Sequence, residues 1–259
     1  MDTTFDFRLM HLDGPLSQHV QAVWSASVSS CSQPVNKPLF SDGASGAFII
    51  LKGEVTYEQG IYQQGIHWVS VQKQAQFITM SPELLMLGFR FQPGISKEHF
   101  SVFRQSEATK NSEKQEVTAN QQGIKGLISR LSEAAQTDQL TVLCQWLQQH
   151  LKSDVIENGL THFIRHIDHK AELKGIEQQL PLSLRQIERQ FKSQIGFTPK
   201  YYQRLMRIRA AIQLIKQNPS ANLVDLAIEA GFSDQAHMNR EFRQLARMTP
   251  KEYQATKKV

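Results

Sequence analysis

Cysteine is scarce in this chain of 259 residues, which contains only Cys31 and Cys144. Two cysteines so far apart are too few for a disulfide framework or a cysteine-rich zinc site. Long hydrophobic runs are also lacking, because no stretch approaches the ~18 apolar residues of a membrane-spanning helix. The first residues show no basic segment followed by an apolar run, so no secretory leader is expected. These absences predict a cytoplasmic protein with reduced thiols.

The motifs of common enzyme classes are missing as well. The sequence has no Gly-x-Ser-x-Gly elbow, phosphate loop, dinucleotide fingerprint or His-Glu-x-x-His. No cofactor and no catalytic residue is therefore predicted. An enzyme whose residues converge only in the folded chain stays open as an alternative.

Three histidines are the one pattern that suits a metal ion. His162, His166 and His169 have the spacing of one helical face, which can hold zinc or nickel. They have no cysteine or carboxylate partner, and apolar residues occupy the opposite face of the same helix. An ordinary amphipathic helix explains the pattern better, and no metal site is predicted.

The chain contains one sequence motif in two copies. The stretches Ser183 to Tyr202 and Asp234 to Tyr253 match at a constant offset of 51 residues (189 to 240, 199 to 250). The matched pairs are Arg189 with Arg240, Phe191 with Phe242, Thr198-Pro199 with Thr249-Pro250, and Tyr202 with Tyr253. Such a match predicts a duplicated structural unit.

Each copy is predicted to open with a helix that exposes a polar face. Ser183 and Asp234 are N-cap residues, and Gln186 completes a capping box in the first copy. Arg, Asn and Gln have the hydrogen-bonding geometry that suits base edges in the major groove of DNA. The predicted DNA contacts are Arg185, Gln186, Glu188, Arg189 and Lys192 in the first helix, and Gln235, Ala236, Asn239, Arg240 and Arg243 in the second.

These contacts have different expected roles. Arg185 and Arg189 are expected to read guanine, and Ala236 to contact a thymine methyl group. Lys192, Arg243 and the N-termini of the two helices are expected to position phosphates.

A third helix is predicted to link the two copies. Thr198 caps it, Pro199 occupies its first turn, and Asn218-Pro219 ends it at about Gln217. At ~1.5 Å per residue it spans roughly 28 Å, close to the ~34 Å between successive major grooves. Its apolar residues, expected to bury against both copies, are Leu205, Ile208, Ile212 and Ile215.

Positive charge is concentrated in the same region. From Pro181 onward the chain carries fourteen Lys and Arg against six Asp and Glu, a net charge of +8. The rest carries fifteen against eighteen, a net charge of −3. This asymmetry is typical of a nucleic-acid module joined to a separate module.

Residues 1–110 are predicted to be mainly β, which makes the fold class α+β. Short segments rich in β-branched and aromatic residues favour a small barrel or sandwich. They are Ala47–Tyr57, Trp68–Val71, Gln76–Met80 and Leu84–Phe91. An early helix is expected from Pro15 to Trp24, and a mobile connection from Ser106 to Gln122. Residues 111–152 then form a linker and two amphipathic helices, which pack on the barrel or form a dimer seam, and 153–259 form the basic domain.

The C-terminal motifs resemble those of AraC-type transcription regulators. The resemblance covers roughly Val155 to Tyr253 and rests on Arg189-Gln-Phe191, Gly196-Phe-Thr-Pro199, Met206-Arg-Ile-Arg209 and Ala227-Ile-Glu-Ala-Gly-Phe-Ser233. It implies two helix-turn-helix units in adjacent major grooves of double-stranded DNA. It also implies contact with RNA polymerase, and so activation.

The N-terminal part resembles, more weakly, the cupin-like sensory domain of one AraC-type subgroup. The motifs are Gly14-Pro15-Leu16, Ser41-Asp42-Gly43 and Leu87-Gly88-Phe89-Arg90-Phe91. The resemblance implies a barrel that senses a small-molecule effector, whose binding residues are unknown. Two alternatives stay open: control by a protein partner, and an enzyme tethered to DNA. A homodimer also stays open.

Overall fold

The computed structural model describes residues 4–30, 32–96, 99–101, 113–152, 160, 163, 164, 167 and 183–257. Contacts divide the chain into two units. One consists of residues 1–37, 45–70 and 77–156, and the other of residues 38–44, 71–76 and 157–259. The first unit combines sheets with two helices and the second is helical, which confirms the α+β class.

The strands of the first unit form one sheet of five strands and one of four in the described part of the chain. Their bounds are β1 Phe5–His11, β2 Val20–Val28, β3 Val35–Leu39, β4 Gly46–Lys52, β5 Val55–Tyr57, β6 Gly60–Tyr62, β7 Gly65–Val69, β8 Gln76–Met80 and β9 Leu85–Phe91. The five-stranded sheet has the order β1-β2-β9-β4-β7, and the four-stranded sheet β3-β8-β5-β6. The strand predicted at Ala47–Tyr57 is two strands, because Gly53 at φ 77° turns the chain between them.

Successive side chains of β4 and β9 point to opposite faces of the sheet, and each face contributes to a separate core of the first unit. Phe48 and Ile50 of β4 join Ile78 and Met80 of β8 in a core made from both sheets. Ile49, on the opposite side of β4, belongs to a second core that the two helices cover.

Those helices are α1, Glu113–Glu133, and α2, Gln139–His150. Leu127 and Leu131 of α1, with Leu143 and Leu147 of α2, are buried in the second core. Their apolar stripes therefore pack within the chain, which was one of the two alternatives for them. The expected mobile connection is wrong from Glu113 onward, because α1 already begins there.

The early helix predicted from Pro15 to Trp24 is also wrong. Only Pro15–Gln18 form a short 3-10 turn, and strand β2 begins at Val20. β2 lies between β1 and β9 and pairs with both. Its backbone N–H and C=O groups are thus satisfied by two neighbouring strands, and this long-range pairing overrides the local apolar spacing.

The second unit contains the helices α3 Leu184–Gln194, α4 Pro199–Gln217, α5 Leu223–Glu229, α6 Gln235–Leu245 and α7 Pro250–Ala255. The bounds of α3 recur in α6, and the start of α4 recurs in α7, at the offset of 51 residues that the sequence shows (184 to 235, 199 to 250). The predicted duplication is therefore confirmed as a repeat of helices.

Two expectations fall outside these elements. His162, His166 and His169 lie outside the described residues. Leu160, Phe163, Ile164 and Ile167, on the predicted apolar face of the same helix, are buried in the core of the second unit. Among the helices the structure describes, no segment has the length and apolarity to cross a membrane.

Gly88 of β9 gives a test of the sheet packing. A Cβ at this position would overlap the indole ring of Trp24 and lie 2.8 Å from the carbonyl oxygen of Ala47. We expect Gly88→Ala to lower the free energy of unfolding by about 1–3 kcal/mol, as overpacking does. Gly126→Ala is the control, because nothing lies within 4 Å of that Cβ and alanine favours a helix by ~0.5–1 kcal/mol. Urea unfolding of both variants measures the difference, and equal effects would contradict this packing.

Candidate DNA interface

Helix α3 is fixed at its start by the predicted capping box. The Ser183 hydroxyl accepts the Gln186 backbone N–H at 3.4 Å, and the Gln186 side-chain oxygen accepts the Ser183 N–H at 2.8 Å. Ile187 and Phe191 are fully buried. Burial of this stripe turns the opposite side of α3 toward solvent.

That exposed side carries the first set of predicted contacts in one place. An open cleft of about 530 Å³ is lined by Ser183, Arg185, Gln186, Glu188, Arg189, Lys192 and Thr198. All five residues predicted from the first copy are among them, and all five are exposed. Whether each contacts a base or a phosphate stays a prediction.

Gln186 has a second task that bears on its predicted role. Its side-chain oxygen also accepts the Ser183 hydroxyl at 2.9 Å. Bidentate reading of adenine uses both the oxygen and the nitrogen of the amide. Base reading by Gln186 would therefore break the half of the capping box that its side chain forms, which leaves Arg185 and Arg189 as the stronger candidates on α3.

The second helix-turn-helix is formed by α5 and α6. Gly231 adopts φ 84° just after α5, and its N–H donates to the Ile228 carbonyl at 3.0 Å. The Phe232 N–H donates to the Ala227 carbonyl at 2.9 Å, which completes a Schellman motif. Ala227 is fully buried. A small residue therefore lies between the two helices, and a glycine forms the turn that joins them.

Helix α6 presents the second set of predicted contacts less uniformly than α3. Ala236, Arg240 and Arg243 are exposed, while Gln235 and Asn239 are half-buried. Met238 and Phe242 are fully buried and fix the helix by its other side. Arg240 therefore occupies the same exposed position on α6 as Arg189 does on α3.

The N-terminus of α6 differs from that of α3 in charge. The Asp234 carboxylate accepts the His237 backbone N–H at 2.6 Å, and this bond holds the pKa of Asp234 below its ordinary value. A carboxylate at this end compensates the helix dipole and repels a phosphate. The geometry therefore favours a phosphate at the start of α3 over one at the start of α6.

Helix α4 lies between α3 and α6 in the sequence and has a buried apolar side. Leu205, Ile208, Ile212 and Ile215 are all buried in the core of the second unit, as predicted. The Thr198 cap and the end at Gln217 are confirmed as well. The placement of α3 and α6 in successive major grooves of one duplex stays a prediction.

An ion pair between α4 and α6 had no signal in the sequence. The Arg204 side chain donates to the Glu241 carboxylate at 2.7 Å and also to the side-chain oxygen of Gln244. Only 22% of the Arg204 side chain and 14% of the Glu241 side chain are exposed. His237 Nε2 lies 3.8 Å from the same carboxylate. Because these partners are far apart in sequence, local patterns could not reveal the pair.

Removing one partner of this pair should loosen α6. Arg204→Met leaves the Glu241 carboxylate mostly buried without its cation, and we expect the free energy of unfolding to fall by about 1–3 kcal/mol. The double variant Arg204→Met/Glu241→Gln should recover part of that loss. Chemical denaturation of both single variants and the double variant gives the coupling energy; purely additive effects would contradict the pairing.

The C-terminal part of the chain is similar to known helix-turn-helix proteins. Residues 176–256 match the family model of a helix-turn-helix domain. The HTH-type transcriptional activator RhaS of Escherichia coli (strain SE11) is 29% identical over 113 residues, which are 44% of this chain and 34% of RhaS. The chain thus spans about a third of the length of the curated relatives it matches.

Two solved structures are similar at low identity. ToxT from Vibrio cholerae is 12% identical with a TM-score of 0.46 and 98% coverage of both chains. KdgF from Halomonas sp. is 8% identical with a TM-score of 0.27, covering 36% of this chain and 83% of its own. The matched segment of this chain contains the helices α3 and α6 and the helix α4 that links them. Residues 176–256 are therefore similar to a helix-turn-helix domain.

Proposed function

We propose that this chain is a sequence-specific transcription regulator that reads double-stranded DNA with α3 and α6. The observation that carries the proposal is the repeated exposure of arginine on two equivalent capped helices, Arg189 on α3 and Arg240 on α6. Buried apolar stripes fix both helices, so these side chains are directed outward without rearrangement. The net charge of +8 from Pro181 onward favours a polyanionic partner.

Control by the N-terminal domain has two proposed forms. A small effector needs space between the two sheets, where the rings of Phe48, Tyr57, Tyr62 and His67 lie 5.1–5.8 Å apart. Burial raises the pKa of Tyr57 to about 12, although the nearby Arg90 lowers it. An effector would have to displace these rings or bind among them.

This ring cluster supports the second form of control. Because side chains fill the space at the cluster, a protein partner that binds the outside of the domain requires no rearrangement of the core. A small effector remains the proposal implied by the cupin-like resemblance. Nuclear magnetic resonance spectra of the Tyr62 and His67 rings during ligand screening would distinguish the two forms.

A regulator accounts for the chain better than an enzyme does. The matched relatives are transcriptional activators, and contact with RNA polymerase and a cytoplasmic location are proposed by the same likeness. In the described residues, the pKa shifts have structural causes. Burial raises the pKa of Tyr202, and hydrogen bonds at the starts of α6 and α7 lower the pKa of Asp234 and Glu252.

The arginine variants test base reading directly. A preferred site is first selected from random duplex DNA with the unchanged protein. Arg189→Ala or Arg240→Ala should then weaken binding to that site by about 1–3 kcal/mol and relax the preference at one base position. Binding is measured by fluorescence anisotropy on the site and on single-base variants of it. An equal loss on every sequence would remove the base-reading role.

Lys192 tests the phosphate contribution. Lys192→Ala should weaken binding to all sequences alike and lower the salt dependence of log K by about one unit, because one fewer counterion is released. Lys52→Ala is the matched control, since Lys52 is exposed, pairs with Glu83 at 3.3 Å and belongs to the first unit. A slope that stays unchanged for Lys192→Ala contradicts its phosphate role.

A further inference from the structure

Within the described part of the chain, strand β1 is an edge strand of the five-stranded sheet. It pairs with β2 along one side, and it is the last strand of that sheet among the residues described. Phe7 and Leu9 are 52% and 49% exposed on it. Soluble proteins usually protect an edge of this length with proline, a bulge or inward-pointing charge, because its free N–H and C=O groups bind another strand.

The two faces of β1 have different chemistry. Phe5, Phe7 and Leu9 alternate onto one face, where the ring of Phe7 stacks on those of Phe5 and Trp24 at 6.5 Å and 6.1 Å between centroids. Asp6 and Arg8 lie on the other face and form an ion pair of 2.8 Å with each other. Both charged side chains are about half exposed, so exchange of this pair for an equivalent one costs little.

The order of these residues makes β1 complementary to itself. If two copies pair in antiparallel fashion about a two-fold axis at Phe7, Phe7 faces Phe7, Phe5 faces Leu9, and Asp6 faces Arg8 twice. An axis at Arg8 would place two arginines opposite each other, and an axis at Asp6 two aspartates. Like charges directly opposite each other destabilise a strand pair. Only the axis at Phe7 joins both the apolar row and opposite charges.

We propose that the chain forms a two-fold symmetric dimer in which β1 pairs with β1 of a second copy, centred on Phe7. The five strands of each copy then form one continuous sheet. An isologous interface of this kind is the commonest way for identical chains to associate. The helices α1 and α2 are not needed for it, because their apolar stripes are already buried within the chain. The dimer is independent of the proposed DNA reading.

Charge reversal tests the register in the full-length protein. Asp6→Arg and Arg8→Asp each turn two attractive pairs into two repulsive ones, and we expect each to weaken dimerisation at least about tenfold. A mixture of the two variants should dimerise like the unchanged protein, as should the double variant Asp6→Arg/Arg8→Asp. Sedimentation equilibrium over a wide range of protein concentration measures each dissociation constant. A monomer throughout, or a dimer that both single reversals leave intact, overturns the proposal.

A cysteine at the axis tests the same contact by chemistry. Opposed Cα atoms in antiparallel strands lie ~4.5–5.5 Å apart, which is within disulfide reach. Phe7→Cys should therefore give a disulfide-linked dimer on mild oxidation. Ile61→Cys is the matched control, because Ile61 is 61% exposed on β6, which is an edge strand of the other sheet. The unchanged protein gives the baseline from its own cysteines. Equal cross-linking of the two variants contradicts the proposed axis.

Discussion

The buried apolar side of α4 is the constraint on which the proposed DNA-reading geometry depends. At most 6% of the surface of each of four residues is exposed to solvent: Leu205, Ile208, Ile212 and Ile215. Burial of side chains of this size stabilises a fold by about 1.5–3 kcal/mol each. Helices α3 and α6 have 11 residues each, and isolated helices of that length are marginal in water. Their arginines are presented in fixed directions because α4 and the shared core hold both helices, and the Arg204–Glu241 pair adds a polar link to α6.

Short-range signals made this half of the chain predictable. A cap residue, a Thr-Pro pair and an apolar stripe each act within a few residues, so the starts of α3 and α6 and both ends of α4 followed from the sequence. The two copies are more similar in structure than in amino-acid sequence. Gly196 follows α3 at φ 87°, and Arg247, 51 residues later, adopts φ 58° in the same place after α6. Arginine in this left-handed conformation is strained. The amino-acid sequence therefore gave no sign that the second copy retains the left-handed turn of the first.

Long-range pairing made the N-terminal half harder to predict. Leu16, Val20, Val23 and Trp24 fit a helical spacing, but β2 is extended because β1 and β9 hydrogen-bond to both of its sides. Strand β1 was missed altogether, although Phe5, Phe7 and Leu9 alternate with charged residues as an edge strand does. The barrel-like class was recoverable from composition and turn residues, whereas the order of the strands depends on contacts that no local pattern contains.

The connections between strands give the N-terminal half a direct part in the C-terminal unit. Residues 38–44 are the end of β3 and most of its connection to β4, and residues 71–76 are most of the connection from β7 to β8 and the first residue of β8. Both segments belong to the unit of α3 to α7. The ring of Phe40 meets Tyr253 of α7 edge-on at 5.3 Å, and the Tyr201 hydroxyl of α4 donates to the Lys73 carbonyl at 2.9 Å. Under the proposed function, a rearrangement of the strands would be passed to α4 and α7 through these two segments. A ligand shifts an equilibrium only by its differential affinity for two states. Under the proposed function, an effector or partner must therefore favour one arrangement of these two connections in order to change how DNA is read.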